Sequence, residues 1–132
     1  MERSCETILR EVLRGRSDID LALLFGSHAR GVARPDSDVD VAILAPGVDR
    51  LALAAELSLA LRREAHVVPL EQAGYPLLQA LLRDAIVVHE GKRGAAADWR
   101  TRTLLLVEWD RPWYERMRRG YLKRLVEGGL GP

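Results

Sequence analysis

The stretch LLFGSHARGVARPDSDVDVAIL, residues 23–44, contains the side chains best suited to chemistry. Asp38 and Asp40 lie two positions apart in an alternating run, so their carboxylates project to the same side of a strand. Two carboxylates that close raise each other's pKa unless a cation neutralises them. Mg²⁺ prefers oxygen ligands and is commonly held by one or two carboxylates together with substrate phosphates. The spacing therefore indicates a magnesium site of the kind used in phosphoryl or nucleotidyl transfer.

The Gly-Ser pair that precedes these aspartates is suited to binding phosphate. Gly26 follows an apolar run and lets the backbone approach a ligand closely. Ser27 is predicted to open a short helix whose free N–H groups bind phosphate oxygens, and Arg30 lies one turn further along. His28 is expected to face solvent, whereas Arg34 could reach the triphosphate or project from a loop. A Gly-Ser turn is common and Asp-Ser-Asp-Val-Asp could be a solvated loop, but the two together between apolar strands favour a nucleotide site.

The elements that must position these residues alternate between strands and helices. Strands are predicted at residues 19–25, 38–44, 66–70 and 86–89, and helices at residues 6–13, 27–30, 51–63 and 75–83. Asp49 is placed to cap the third of these helices, and Pro76 lies in the first turn of the fourth. This alternation predicts an α/β-type layered fold.

Residues 92–127 differ from the rest because they are rich in arginine and contain interspersed tryptophans. Asp110 is predicted to cap a last helix that ends at Gly128 and Gly129. One apolar stripe recurs at helical spacing along it, formed by Tyr114, Met117, Tyr121 and Leu125. Acidic residues are interleaved with the basic ones, which favours packing on the domain itself or on a protein partner over binding of RNA.

Length and composition exclude several classes of protein. The 132 residues predict one domain, and a net charge of +1 gives no global reason to expect a nucleic-acid partner. The single cysteine, Cys5, cannot form an internal disulfide and is expected to be inert. No apolar run approaches the roughly 20 residues of a membrane span. The expected location is the cytoplasm, with no membrane partner.

The motif GSHARGVARPDSDVDVAIL resembles the signature of the DNA polymerase β-like nucleotidyltransferase superfamily, in its minimal nucleotidyltransferase branch. The likeness covers roughly Ile19 to Glu90. It implies a small mixed sheet flanked by helices (α/β, or α+β), with the nucleotidyltransferase core at residues 1–91 and a helical extension at residues 92–132 that packs on the core or on a partner.

The resemblance also implies roles for particular residues. Gly26 and Ser27 would hold the triphosphate of ATP, and Asp38 and Asp40 would bind Mg²⁺. The tail WDRPWYERMRRGYLKRL is similar to the C-terminal helix of minimal nucleotidyltransferases that pair with HEPN-domain ribonuclease toxins. In those pairs, the resemblance implies an antitoxin that transfers AMP from ATP to a tyrosine of the toxin.

One position departs from the family pattern. A third carboxylate is generally present on the following core strand, and here His66 stands in its place. A neutral imidazole is a poor ligand for Mg²⁺, although it can act as a general base or accept Mn²⁺. Glu64 has the same strand parity as His66. Three interpretations stay open: His66 acts as the base, Glu64 substitutes for the carboxylate, or the hydroxyl-activating centre is missing.

These interpretations lead to three hypotheses about function. The first is a Mg²⁺-dependent nucleotidyltransferase that modifies a HEPN toxin. The second is a catalytically inactive nucleotidyltransferase fold that neutralises the toxin by binding it. The third is a transferase acting on a small molecule, for which the short chain leaves little room for an acceptor domain. A homo-oligomer or a hetero-complex is compatible with the aromatic tail.

Overall fold

The computed structural model describes residues 3–128, with side chains as far as Arg124. Along the chain these residues form α1 (Cys5–Leu13), β1 (Leu21–Phe25), α2 (Ser27–Arg30), β2 (Val39–Leu44), α3 (Arg50–Leu61), β3 (Ala65–Pro69), α4 (Tyr75–Asp84), β4 (Ile86–Glu90) and α5 (Ala95–Gly128). A single 3-10 turn, Leu70–Gln72, joins β3 to α4. Apart from the last helix, the predicted elements all form, with boundaries within two residues of those expected from the sequence.

The four strands form one mixed sheet in the order β3-β2-β1-β4. Strand β1 runs antiparallel to both β2 and β4, and β2 runs parallel to β3. The parallel pair is joined by a crossover that contains α3, as parallel pairing requires. The mixed sheet flanked by helices confirms the predicted fold class.

Both faces of the sheet are covered, because alternate residues of the central strands point to opposite sides. On β2, Val39, Val41 and Ile43 join a buried cluster with leucines of α1 and α3. Ala42 lies on the other face, in a second cluster with Leu23 and residues of α4 and α5. Asp38 and Asp40 are four and two residues before Ala42, so their side chains point to the same face of the sheet as Ala42. Helices α4 and α5 cover that face at Ala42.

The helices begin where short polar side chains cap them. Asp49 Oδ1 accepts a hydrogen bond from the Ala52 amide at 3.1 Å, as expected from the sequence. Ser4 accepts one from the Thr7 amide at the start of α1. Gly31 ends α2 in the left-handed conformation, with φ at 74°. These local signals explain why the helix starts could be predicted.

The prediction that Asp110 caps a separate last helix is wrong. Asp110 lies inside α5, which runs without a break from Ala95 to Gly128. The first half of α5 is helical because Thr103 and Val107 are buried against the domain, each only 4% exposed. Tertiary packing thus extends the helix upstream of the point where an aspartate and a proline would suggest a start.

The helix continues through Pro112 although an interior proline removes one backbone donor. Before it, Arg111 Nη2 pairs with Glu108 Oε1 at 2.9 Å on the surface of the same helix. After it, the ring of Tyr114 stacks on that of Tyr75 in α4, with the centroids 4.4 Å apart. These contacts hold the helix on both sides of the proline.

The predicted apolar stripe packs on the domain only at Tyr114. Met117 and Tyr121 are more than half exposed, as are Trp109 and Trp113 on the same helix. The side chain of Leu125 and the residue Gly129 lie outside the described part of the chain. Between residues 3 and 128 no helix has the length and apolar character needed to cross a bilayer.

Candidate active site

Asp40 and His66 are directly paired on neighbouring strands, and this pairing brings the predicted site residues together. Phe25, the last residue of β1, pairs with Asp40 on β2, and Asp40 pairs with His66 on β3. Directly paired residues point to the same side of a sheet, so Asp40 and His66 are neighbours. Asp38 lies one residue before β2, with the same parity as Asp40. The sheet thus brings both aspartates and His66 to one face at one end.

His66 is bonded to Asp38 rather than standing free in the site. Its Nε2 lies 3.1 Å from Asp38 Oδ2 and 3.9 Å from Glu64 Oε1. One ligand atom from each of Asp38, Glu64 and His66 lies within 4.8 Å of the others, and all three side chains are exposed. Glu64 enters this group because it has the parity of His66 just before β3 begins.

Asp40 lies against the backbone at Gly26. Gly26 has a φ of 78°, and a Cβ built on it would stand 2.5 Å from Asp40 Oδ2. Both the positive φ and the missing space require glycine at this position. The structure therefore explains the first residue of the Gly-Ser pair: it allows the carboxylate of β2 to touch the corner between β1 and α2.

Ser27 and Arg30 lie on the short helix α2 next to this corner. The amides of Ala29 and Arg30 donate to the carbonyl of Gly26, at 3.1 and 3.2 Å. Ser27 is half-buried at the start of the helix, whereas the Arg30 side chain is exposed at its end. Ser27 thus directly follows the corner that Asp40 contacts, whereas Arg30 lies at the far end of α2 and is exposed.

The electrostatics of the site favour a cation. Burial raises the pKa of Asp40, and the like charge of Asp38 raises it further, while His66 and His28 act in the opposite direction. The hydrogen bond to Asp38 raises the pKa of His66, assisted by the negative charges of Glu64, Asp38 and Asp40. Each shift has the direction expected where negative charge is crowded.

The donor atoms suit a divalent metal. Carboxylate oxygens of Asp38 and Glu64 come close together on the exposed face, and Asp40 adds a third carboxylate nearby. Oxygen ligands are those that Mg²⁺ prefers, whereas the imidazole of His66 suits Mn²⁺ better. Sequence reasoning missed the bond between His66 and Asp38, because it depends on the parallel pairing of β2 with β3.

Solved structures show the same fold. A toxin–antitoxin crystal structure with AMP-PNP has a TM-score of 0.74 at 23% identity, covering 89% of this chain and 98% of that chain. The MntA-HepT toxin–antitoxin structure gives a TM-score of 0.68 at 21% identity, covering 89% and 97%. A tri-AMPylated HEPN toxin of Shewanella oneidensis in complex with MNT antitoxin gives 0.69 at 21%, covering 89% and 96%. These likenesses establish the fold.

Sequence comparisons give the family. No curated protein matches the chain. The model of the family described as "Polymerase beta, Nucleotidyltransferase" matches residues 7–93, which is well over half of the chain and includes the corner at Gly26 and the aspartates. The chain belongs to the polymerase beta nucleotidyltransferase family.

Proposed function

We propose that this protein is a minimal nucleotidyltransferase antitoxin that transfers AMP from ATP to a hydroxyl group of a HEPN ribonuclease toxin, most simply a tyrosine. The observation that carries the proposal is the contact between Asp40 and the Gly26 corner, beside the group formed by Asp38, Glu64 and His66. The carboxylates proposed to bind metal thus lie next to the backbone corner at Gly26 that is proposed to bind phosphate.

In the proposed reaction the oxygen of the acceptor hydroxyl forms a bond to the α-phosphorus of ATP. The bond from that phosphorus to the oxygen bridging to the β-phosphate breaks, and pyrophosphate leaves. The hydroxyl proton passes to a base, for which the His66 imidazole is placed at the edge of the site. Its Nε2 donates to Asp38 Oδ2 at 3.1 Å, so Nδ1 is the nitrogen left to accept the proton. The backbone at Gly26 and Ser27, with the Ser27 hydroxyl, holds the triphosphate, and Arg30 offers charge to its outer oxygens.

Asp38 and Asp40 are the proposed ligands of Mg²⁺, and Glu64 is positioned to supply the third carboxylate of the family pattern. When bound, the metal neutralises phosphate charge and polarises the reacting phosphoryl group. Mn²⁺ is the natural second choice of ion because it accepts imidazole ligands more readily.

The proposal for the partner is supported by the shared fold. Two toxin–antitoxin structures, one of which contains a HEPN toxin with MNT antitoxin, each match 89% of this chain. In one of those complexes the toxin is AMPylated, and in another AMP-PNP is present. The exposed aromatic side chains of α5, Trp109 and Trp113, provide apolar surface of the kind that protein interfaces use.

One observation favours a second candidate function. His66 replaces the expected carboxylate and binds Asp38, so one proposed metal ligand already has a hydrogen-bond partner. A chain in this state can still cover a toxin without modifying it. Binding alone is therefore the second candidate, and the two are separated by the mass of the toxin in the complex.

The test is transfer of label from α-³²P-ATP to a purified HEPN-domain toxin, with Mg²⁺ or Mn²⁺. Asp38→Ala combined with Asp40→Ala removes the proposed ligands, and we expect labelling to fall at least 100-fold. Asp36→Ala is the matched control, because this exposed aspartate lies in the same segment outside the site. Unimpaired labelling by the double variant would contradict the mechanism. A tight complex of wild-type protein and toxin without any gain in mass would instead establish the second candidate.

A further inference from the structure

A second cleft lies on the other face of the sheet from the aspartates. Its floor includes Leu24, which neighbours Phe25 on β1 and therefore points away from Asp40. The cleft has a volume of about 540 Å³. We call it the arginine cleft, after the three arginines among its lining residues, which include Arg3, Arg34 and Arg63 together with Cys5, His28 and Ile86.

The arginine cleft carries positive charge that its surroundings do not neutralise. Arg3 pairs with Glu11, and the lining acid Glu6 pairs with Arg10 at 2.9 Å. Among the side chains of residues 3–124, no carboxylate lies within ion-pair distance of Arg34 or Arg63. Arg63 Nε donates to the Leu61 carbonyl oxygen at 3.4 Å, which leaves its two terminal amino groups for an anion. The Arg34 guanidinium and the terminal amino groups of Arg63 are therefore the donors offered to the cleft.

Part of the wall is apolar. Leu24 and Ile86 are contributed by two paired strands, and Ala33 and Pro35 by the loop before Asp38. A ligand whose phosphates bind the arginines can pack a flat, apolar group against these apolar side chains. The combination matches a molecule with an anionic end and an uncharged ring.

We propose that the arginine cleft is a second ligand site, which takes a phosphate-bearing molecule of nucleotide size. A volume of about 540 Å³ lies in the range typical of small-molecule sites. Arginine recognises phosphate through paired N–H donors, and Arg34 and Arg63 supply two such groups from different elements. Leu24 in the cleft wall and Asp40 lie on opposite faces of the sheet, so the cleft is distinct from the proposed catalytic face; His28 lines the cleft and also acts on Asp40 through its charge.

The cleft touches the loop that joins the two halves of the catalytic motif. His28 lines the cleft, and its Nε2 lies 3.0 Å from the carbonyl oxygen of Ser37, the residue before Asp38. The Arg34 amide donates to Ser37 Oγ at 2.8 Å. A ligand in the cleft therefore contacts this loop from the side away from the aspartates.

The test measures binding of ATP, pyrophosphate and adenosine by calorimetry, in EDTA, to the full chain carrying Asp38→Ala and Asp40→Ala. This background removes the proposed metal site, so the result does not depend on catalysis. We expect ATP to bind more tightly than pyrophosphate, and adenosine alone not to bind. Adding Arg34→Gln and Arg63→Gln should weaken ATP binding at least tenfold. Arg93→Gln, at an exposed arginine outside the cleft, is the control and should leave it unchanged.

A second readout comes from Cys5, which lines the cleft and is the only cysteine of the sequence. Bound ATP should slow its labelling by a maleimide, and the two arginine substitutions should remove this protection. The single variant Arg34→Gln, in an exposed loop, guards against misfolding of the double variant. The proposal would be overturned if the variant lacking Asp38 and Asp40 did not bind ATP. It would also be overturned if ATP binding were unaffected by both arginine substitutions and left Cys5 unprotected.

Discussion

At the scale of single residues, Asp40 combines a stability cost with a proposed role. Its carboxylate is half-buried on a strand, and it touches the backbone corner at Gly26. Burial raises the pKa of Asp40, which means that the folded state disfavours its ionised form. An acid whose pKa is higher in the folded state than in the unfolded state lowers the free energy of unfolding as the pH rises from the unfolded pKa through the folded pKa. Without metal, the ionised Asp40 is therefore a destabilising group.

Asp40→Asn should make the metal-free protein more stable at pH 7, because it removes this charge. Below the unfolded pKa of about 4, the wild-type carboxyl is protonated in both the folded and the unfolded state. The difference in unfolding free energy between the two proteins should therefore disappear. The measurement is urea unfolding in EDTA at pH 7 and pH 3. Asp36→Asn, at an exposed position, should change little at either pH. A lower free energy of unfolding for Asp40→Asn at pH 7 would contradict this account.

Strand parity predicted one face for Asp38 and Asp40, whereas His66 was proposed because it stands where the family pattern has a third carboxylate. The sheet pairs Asp40 with His66, so these two side chains lie on the same face. Parity is a local property, so it could be predicted. The hydrogen bond between His66 and Asp38 could not, because it depends on the register between two strands that are far apart in the chain. The assignment of metal and nucleotide to these residues remains a prediction.

At the scale of elements, α5 shows where local signals are misleading. Asp110, Arg111 and Pro112 form a typical helix start, and a start was predicted there. The structure instead carries one helix through all three, because buried residues upstream, such as Val107, hold the preceding turns. By contrast, Asp49 caps α3 as expected, since no packed helix precedes it.

Pro112→Ala should strengthen α5, because an interior proline costs about 3 kcal/mol relative to alanine. Alanine restores an amide that can donate to the carbonyl of Glu108, four residues earlier. We expect slower hydrogen exchange, by tenfold or more, at the amides that follow position 112. Arg118→Ala, at an exposed site on the same helix, is the control. Unchanged protection in Pro112→Ala would show that the turn around the proline does not limit opening of the helix.

At the scale of the whole molecule, the two buried clusters share the central strands. Leu24 and Val41 face one cluster, while Leu23 and Ala42 face the other, on the same two strands. Loss of packing on one face must therefore disturb the strands that support the opposite face. This sharing predicts that the described part of the chain unfolds as one cooperative unit.

Leu57→Ala tests this cooperativity, because Leu57 is fully buried in the cluster beneath α3. The cavity should cost 2–5 kcal/mol of unfolding free energy, roughly the range for a buried leucine. Trp99 packs in the other cluster, so its fluorescence reports on the opposite face. The midpoint of urea unfolding should fall by the same amount whether it is followed by far-UV circular dichroism or by tryptophan fluorescence. Leu59→Ala, at an 82% exposed position of the same helix, should shift neither. Transitions that separate in Leu57→Ala would indicate two independent units.

The length and direction of α5 have a consequence for the proposed transfer to a protein partner. With 34 residues, α5 is about 51 Å long at 1.5 Å per residue. It runs antiparallel to α4, passing the residues near Ala85 first and stacking Tyr114 on Tyr75, the first residue of α4. After Tyr114, every described side chain as far as Arg124 is exposed. Under the proposed function, a toxin that bound only these exposed turns would have to extend back along the domain to present its hydroxyl group, or be modified by a second copy of this chain.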